Sequence, residues 1–219
     1  FEHSSQSHRN FTCVTMNRIV VFGATGNTGL CALNSAVNKG IPFHFSLAFV
    51  RDTEKVPANI RDKVETIVGD VTNAEQVSKA VSNRDAVVVV LGTRNDLSST
   101  TVLSQGMRNI IDAMKVHNVG VVSVCLSAFL FYKPEAVPGI FKNLNADHQR
   151  MFDLLKESQL KWIAVLPPHI ADAPSSKYVV KYDESPGRAI SKHDLGAFLI
   201  ESLEQTERYE KVCGIANVS

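Results

Sequence analysis

Phe22-Gly23-Ala24-Thr25-Gly26-Asn27-Thr28-Gly29, "FGATGNTG", follows the apolar run Ile19-Val20-Val21 and leads into Leu30-Cys31-Ala32-Leu33. Glycines three apart between a β-branched run and a helical pattern admit two readings. They ease a tight strand-to-helix turn where a Cβ would collide, or they let phosphate oxygens approach the N–H groups at a helix N-terminus. Position weighs more than the glycines themselves. The triplet closes the first predicted strand and opens the first helix, where backbone N–H groups and the helix dipole together can hold a pyrophosphate. In that reading Gly23 makes the turn, Gly26 admits the phosphates and Gly29 lets helix pack on sheet. Thr25, Asn27 and Thr28 complete the cradle.

Outward from this turn, short Val- and Ile-rich runs recur at 18–22, 44–50, 64–68, 86–91, 119–126 and 161–166. Most are apolar almost throughout, as strands covered on both faces must be, and helical patterns separate them. That alternation predicts an α/β, single-domain, doubly wound parallel sheet. The segment 100–117 places Val102, Ile110, Ile111 and Met114 on one buried stripe, and a further helix is expected at about 145–156. Thr72-Asn73-Ala74-Glu75 and Ser191-Lys192-His193-Asp194 have the spacing of capping boxes, each before a helical run. Lys192, His193 and Asp194 are therefore assigned to the cap rather than to chemistry.

Composition narrows the function. Apolar residues make up 44% and charged residues 21%, which excludes a disordered class. Lys plus Arg (23) nearly balance Asp plus Glu (22), leaving no broad field for nucleic acid or an anionic membrane. The four cysteines show neither a CxxC nor a metal-ligand spacing, so a reduced, cytoplasmic compartment is the simpler reading and no metal is expected. No stretch approaches the roughly 18 apolar residues of a spanning helix. Residues 1–15 are polar and aperiodic and read as a disordered leader, with Met16 the expected start of the domain at 16–219; the Asn10-Phe11-Thr12 sequon is then accidental.

At the end of the second strand a dinucleotide protein chooses its cofactor: an acid binds the ribose 2′-OH of NAD, whereas an arginine accommodates the 2′-phosphate of NADP. Here "FVRDTEK" places Arg51 first and Asp52 after it, about 20 residues beyond the triplet as that role requires. NADPH is the expected cofactor. A solvated surface arginine is the plainer alternative.

The glycine spacing, GxxGxxG, resembles that of the extended and atypical short-chain dehydrogenases. Taken with "VRD", "VGDV", "LGTRNDLS", "CLSAFLFY", "ADHQRM", "LPPHI" and "ISKHDLG", in that order from Met16 to Leu203, the chain resembles the NADPH-dependent flavin reductase or biliverdin-IXβ reductase family. The resemblance implies a Rossmann sheet and hydride delivery from NADPH to free flavins (FMN, riboflavin) and linear tetrapyrroles. It implies Asp70 and Val71 beside the adenine, Gly92, Thr93 and Arg94 along ribose and phosphates, and Ser127, His169 and Ile170 around the nicotinamide. His148 borders the cofactor pocket. Ser127 and His169 are the catalytic candidates. The tail from Glu204 onward carries no matching motif.

The dehydrogenase dyad YxxxK is missing: Tyr132 is followed at the required position by Ala136, and Tyr178 to Lys181 has the wrong spacing. Reactions that must protonate an alkoxide are disfavoured. A flavin spreads the incoming charge into its own rings, so the protein has mainly to bind and orient. Phe129 and Tyr132 are expected to form an apolar platform for it, Phe131 to lie in the core, and Arg188 to offer a counter-charge. Cys125, two residues before Ser127, faces either the core or the nicotinamide. The expected protein is a monomer acting on a small molecule. The alternative is a non-catalytic, NmrA-like dinucleotide sensor that reports to a protein partner.

Overall fold

The computed structural model describes residues 16–40, 46–94 and 96–218. The expected leader, with its sequon and Cys13, lies outside them. Along the chain run β1 (Ile19–Phe22), α1 (Asn27–Asn38), β2 (Ser46–Val50), α2 (Ala58–Arg61), β3 (Glu65–Val68), α3 (Ala74–Val81), β4 (Ala86–Val89), α4 (Val102–Val116), β5 (Val121–Cys125) and α5 (Lys142–Glu157). They are followed by β6 (Lys161–Leu166), β7 (His169–Ala171), β8 (Tyr178–Tyr182), β9 (Ala189–Ser191), α6 (Lys192–Glu201) and β10 (Lys211–Asn217). Eight strands form one sheet in the order β3-β2-β1-β4-β5-β6-β10-β8, and β7 pairs with β9 beside it. The ladders of the large sheet are parallel except β10 with β8.

The strands are apolar throughout because both faces are covered. In β1, Ile19 and Val21 enter the core beneath α1 and α6, while Val20 and Phe22 enter the core beneath α3, α4 and α5. The same alternation runs through Val87 and Val88 of β4 and Ile163 and Ala164 of β6. On α4 the buried stripe is Leu103, Met107, Ile110 and Met114, each burial contributing about 1.5–3 kcal/mol. Val102, expected on that stripe, is 46% exposed, because it opens the helix one position before the stripe begins.

Two capping boxes are corrected. The cap of α3 is Asn73, whose side chain accepts from the Gln76 N–H; Thr72 instead donates to Asp70. Ser191 caps α6 as expected, but Asp194 does not reach back. Its carboxylate accepts from Ser176 N–H and Asn217 Nδ2, tying α6 to the 172–177 segment and β10.

The chain leaves β1 outward through β2 and β3 and returns to β4 on the other side. The loops after β1 and β4 therefore diverge, opening a crevice at the C-terminal edge of the sheet, where ligands of such sheets bind.

Candidate active site

At the crevice the glycine turn answers to both readings, glycine by glycine. Gly23 has φ +79°, and a Cβ there would lie 2.1 Å from the Val90 carbonyl oxygen; one on Gly29 would lie 2.2 Å from that of Gly23. Packing alone demands those two. Gly26 is freer, with its nearest obstruction at 3.3 Å, and it is the N-cap of α1 without a side chain to cap the helix. Three other helix starts are served: α3 by Asn73, α6 by Ser191, and α4 by the buried Asp147, which accepts from the N–H groups of Leu103 and Ser104 at 3.0 and 3.4 Å; α2 and α5, like α1, have no side-chain cap. Of the uncapped starts, that of α1 is the one that opens at the crevice, where its free N–H groups and dipole suit an anion. Across the crevice, Arg94 has φ +52° and brings Nη2 to 3.5 Å from Thr25 Oγ1. Gly92 beside it is exposed, with open space where a Cβ would be. These residues fit a pyrophosphate.

Toward β3, Arg51 stands exposed after β2. Asp52 is engaged locally: its carboxylate accepts from the Glu54 N–H at 3.0 Å and pairs with Lys55 at 3.8 Å. Asp70 accepts from the Thr72 hydroxyl and N–H, and these bonds, aided by the charge of Arg51, hold its carboxyl below the usual range. Val71 is buried beside it, and its carbonyl accepts from Asn109 Nδ2 at 2.9 Å. Arg51, Asp70 and Val71 therefore share one corner of the crevice, at the adjoining ends of β2 and β3.

At the other end, Ser127 follows β5 and caps a single 3-10 turn, Ala128–Phe131, its Oγ accepting from the Phe129 N–H at 3.2 Å. The hydroxyl proton remains to be donated. Phe129 stacks on Phe141 at 5.0 Å and lies 6.0 Å from Tyr132, which is 54% exposed. Phe131 packs into the core. His169 and Ile170 open β7 and are exposed, and the His169 N–H donates to the Arg188 carbonyl at 3.2 Å, which brings the exposed Arg188 to the same rim. Cys125 belongs to the core beneath α1 and α6, where burial pushes its thiol up to about 12. Lys192 pairs with Asp172 at 2.7 Å, and His193 Nδ1 lies 3.5 Å from Cys31 Sγ of α1. Among the described residues no cluster of His, Cys, Asp or Glu could hold a metal ion, and no helix is long and apolar enough to cross a membrane.

A family model described as NAD(P)H-binding matches residues 23–206, from the first glycine of the turn to beyond α6. The chain belongs to the NAD(P)H-binding family. Solved structures carry the same fold at low identity. A putative NAD-dependent epimerase/dehydratase from Bacillus halodurans has a TM-score of 0.80 at 22% identity, covering 92% of this chain and 94% of its own. The oxidoreductase ylbE from Lactococcus lactis scores 0.78 at 18%, covering 92% and 91%. A wide-type short-chain dehydrogenase/reductase from Veillonella parvula, solved in complex with NADP, scores 0.74 at 15%, covering 93% and 95%.

In this NAD(P)H-binding chain the helix that follows the aromatic turn after β5, α5, contains no tyrosine. Two residues at its start were passed over by sequence reasoning, Phe141 just before the helix and Asn145 in its first turn. Phe141, Asn145, His148 and Phe152 follow one another at four, three and four residues, one face of a helix, but that spacing alone carries no sign of a site. Burial pushes the His148 imidazole down to about 4, against a weaker upward pull from Asp147. It is a neutral group near pH 7.

Proposed function

We propose that this protein is an NADPH-dependent reductase that passes hydride to free flavins and biliverdin-type tetrapyrroles. The observation that carries the reading is the pairing of a half-exposed aromatic cluster, the Phe129–Phe141 stack with the exposed Tyr132 tilted beside it, with an α5 that offers no tyrosine acid. A flat conjugated acceptor needs a surface to lie on and absorbs hydride into its own rings, whereas a carbonyl substrate needs a proton donor at its oxygen. NADPH, when bound, supplies the hydride; the acceptor gains it together with one proton from solvent, leaving NADP⁺ and the reduced acceptor.

In this reading the chain's residues bind and orient. The uncapped end of α1 and Arg94 take the pyrophosphate. Arg51 takes the 2′-phosphate, for which the engagement of Asp52 in its own turn leaves the arginine as the available partner. Ser127 and His169 hold the nicotinamide end, and Arg188 at the rim suits an anionic side arm of the acceptor.

The test is oxidation of NADPH by the purified protein with FMN or biliverdin, followed by the absorbance of reduced nicotinamide. Ser127→Ala and His169→Ala should each lower turnover modestly, short of the roughly 10²–10⁴-fold loss that removal of a general acid brings. Abolished turnover with both ligands still bound would make that residue an acid or relay. Binding of NADPH without oxidation by any of these acceptors would leave the sensor reading in its place.

A further inference from the structure

Two polar atoms on α5 stand buried without a hydrogen-bond partner, Asn145 Oδ1 and His148 Nδ1. Each such group costs about 1–3 kcal/mol, so a fold that keeps two within one turn is shaped for something that satisfies them. Their place on the helix says where that something lies. Phe141, Asn145, His148 and Phe152 form one stripe. At its lower end Phe152 meets Trp162 of β6 edge-on, with centroids 6.1 Å apart; at its upper end Phe141 stacks on Phe129.

From the level of Phe152, α5 climbs about 1.5 Å per residue and β6 about 3.3 Å. Asn145 therefore stands roughly 10 Å higher, level with Val165 or Leu166. Val165 is paired with Cys125, so Ser127 lies just above. The unpartnered pair thus stands on the stripe below the Phe129–Phe141 stack, with Asn145 at the level of the ends of β5 and β6. An occupant touching both is flat on one side and polar along an edge.

The chemistry of the pair narrows the edge. His148 is held neutral, so a phosphate or a propionate gains no charge partner there. An asparagine amide both donates and accepts, and a neutral imidazole Nδ1 does either according to its tautomer. Together they complement an N–H beside a C=O.

We propose that Asn145 and His148 recognise the amide-type edge of the acceptor, the imide of a flavin or the lactam of a linear tetrapyrrole, and so set which flat acceptors are used. This rests on the reductase reading, and its test separates the two. Lumiflavin carries the imide N–H and 3-methyllumiflavin has it blocked; both lack the phosphate and ribityl chain. With saturating NADPH, the wild-type protein should prefer lumiflavin roughly tenfold in kcat/KM, the worth of about one buried hydrogen bond, carried mainly in KM. Asn145→Leu and His148→Leu should each bring that ratio close to one, and His148→Asn, which keeps a polar atom near the Nδ1 position, should retain most of it. NADP⁺ affinity is titrated in parallel. Equal use of both flavins by the wild type, or a preference that survives both leucine variants, would overturn the assignment while leaving the reductase reading standing. So would a fall in NADP⁺ affinity matching the loss with lumiflavin, which would give the pair to the dinucleotide. A wild-type protein that oxidises NADPH with FMN or biliverdin but with neither lumiflavin would likewise overturn the assignment alone, and one that oxidises it with none of the four would remove the reductase reading and this assignment with it.

Discussion

Arg51 and His148 are single residues whose surroundings fix opposite behaviours. Arg51 is exposed and always charged, and its neighbour Asp52 is occupied by its own turn. If it holds the 2′-phosphate, Arg51→Ala should raise the NADPH Michaelis constant by about 1.5–3 kcal/mol of lost charge-assisted bonding and leave NADH nearly untouched. Equal losses with both cofactors would place the arginine elsewhere. His148 is buried and neutral. Its folded pKa of about 4 lies below the 6.5 of the free side chain. Above pH 6.5 neither state binds the proton. As pH falls from there toward 4, the unfolded chain takes up a proton that the folded site refuses, and stability drops by up to roughly 3 kcal/mol. His148→Leu should flatten that part of the acid limb. Urea unfolding at pH 7 and pH 4.5 measures it, and an unchanged difference between the two in the variant would contradict the burial argument.

Among the elements, α1 and α6 are joined most intimately, and Gly196 is the reason. A Cβ there would lie 2.6 Å from Cys31 Cβ and 2.7 Å from the Ala32 nitrogen, so Gly196→Ala must push apart two helices that share a core. The expected cost is about 1–3 kcal/mol, read as a lower unfolding midpoint at constant m-value, with weaker dinucleotide binding because α1 carries the cradle. A variant as stable as the parent would show that the helices yield freely. Elements of this kind were legible in the sequence to the degree that periodicity declared them. β6 appears at the expected residues, and β1, β3, β4 and β5 differ by a residue or two at their ends, where apolar character outlasts ladder bonding; the first two residues expected of β2, 44 and 45, lie outside the described residues. The cap of α3 shifted because Asn73 competes with Thr72 for the same job and Thr72 is taken by Asp70. At the site, the glycine turn and Arg51 declared themselves through fixed spacing. Phe141 and Asn145 did not, since an aromatic and an amide on a helix gain meaning only once the helix is laid beside the aromatic turn after β5.

At the scale of the molecule, the least legible part is the one that closes the sheet. β10 adds parallel to β6, and β8 then pairs antiparallel on its far side, a join between the 178–182 run and a tail that carried no motif. The crevice is independent of that extension. It lies where β1 and β4 diverge and draws residues from the ends of β1, β2, β3 and β4 at one end and of β5 and β6 at the other. A ligand along this edge contacts strands on both sides of the switch point, so its binding energy is coupled to unfolding of the whole sheet rather than to fraying of one loop. NADP⁺ at about 100 times its dissociation constant should then add about 2.7 kcal/mol, which for a domain of this size raises Tm by roughly 5–10 °C in one cooperative transition. NAD⁺ at the same concentration should add less, because it leaves Arg51 without a phosphate, and Arg51→Ala should bring the two shifts together. Thermal melts of the parent and the variant with each dinucleotide measure this. Equal shifts in the parent would remove the 2′-phosphate from the argument, and a separate early transition moved by ligand while the main one stayed fixed would show that the crevice is not built on the sheet as a single cooperative unit.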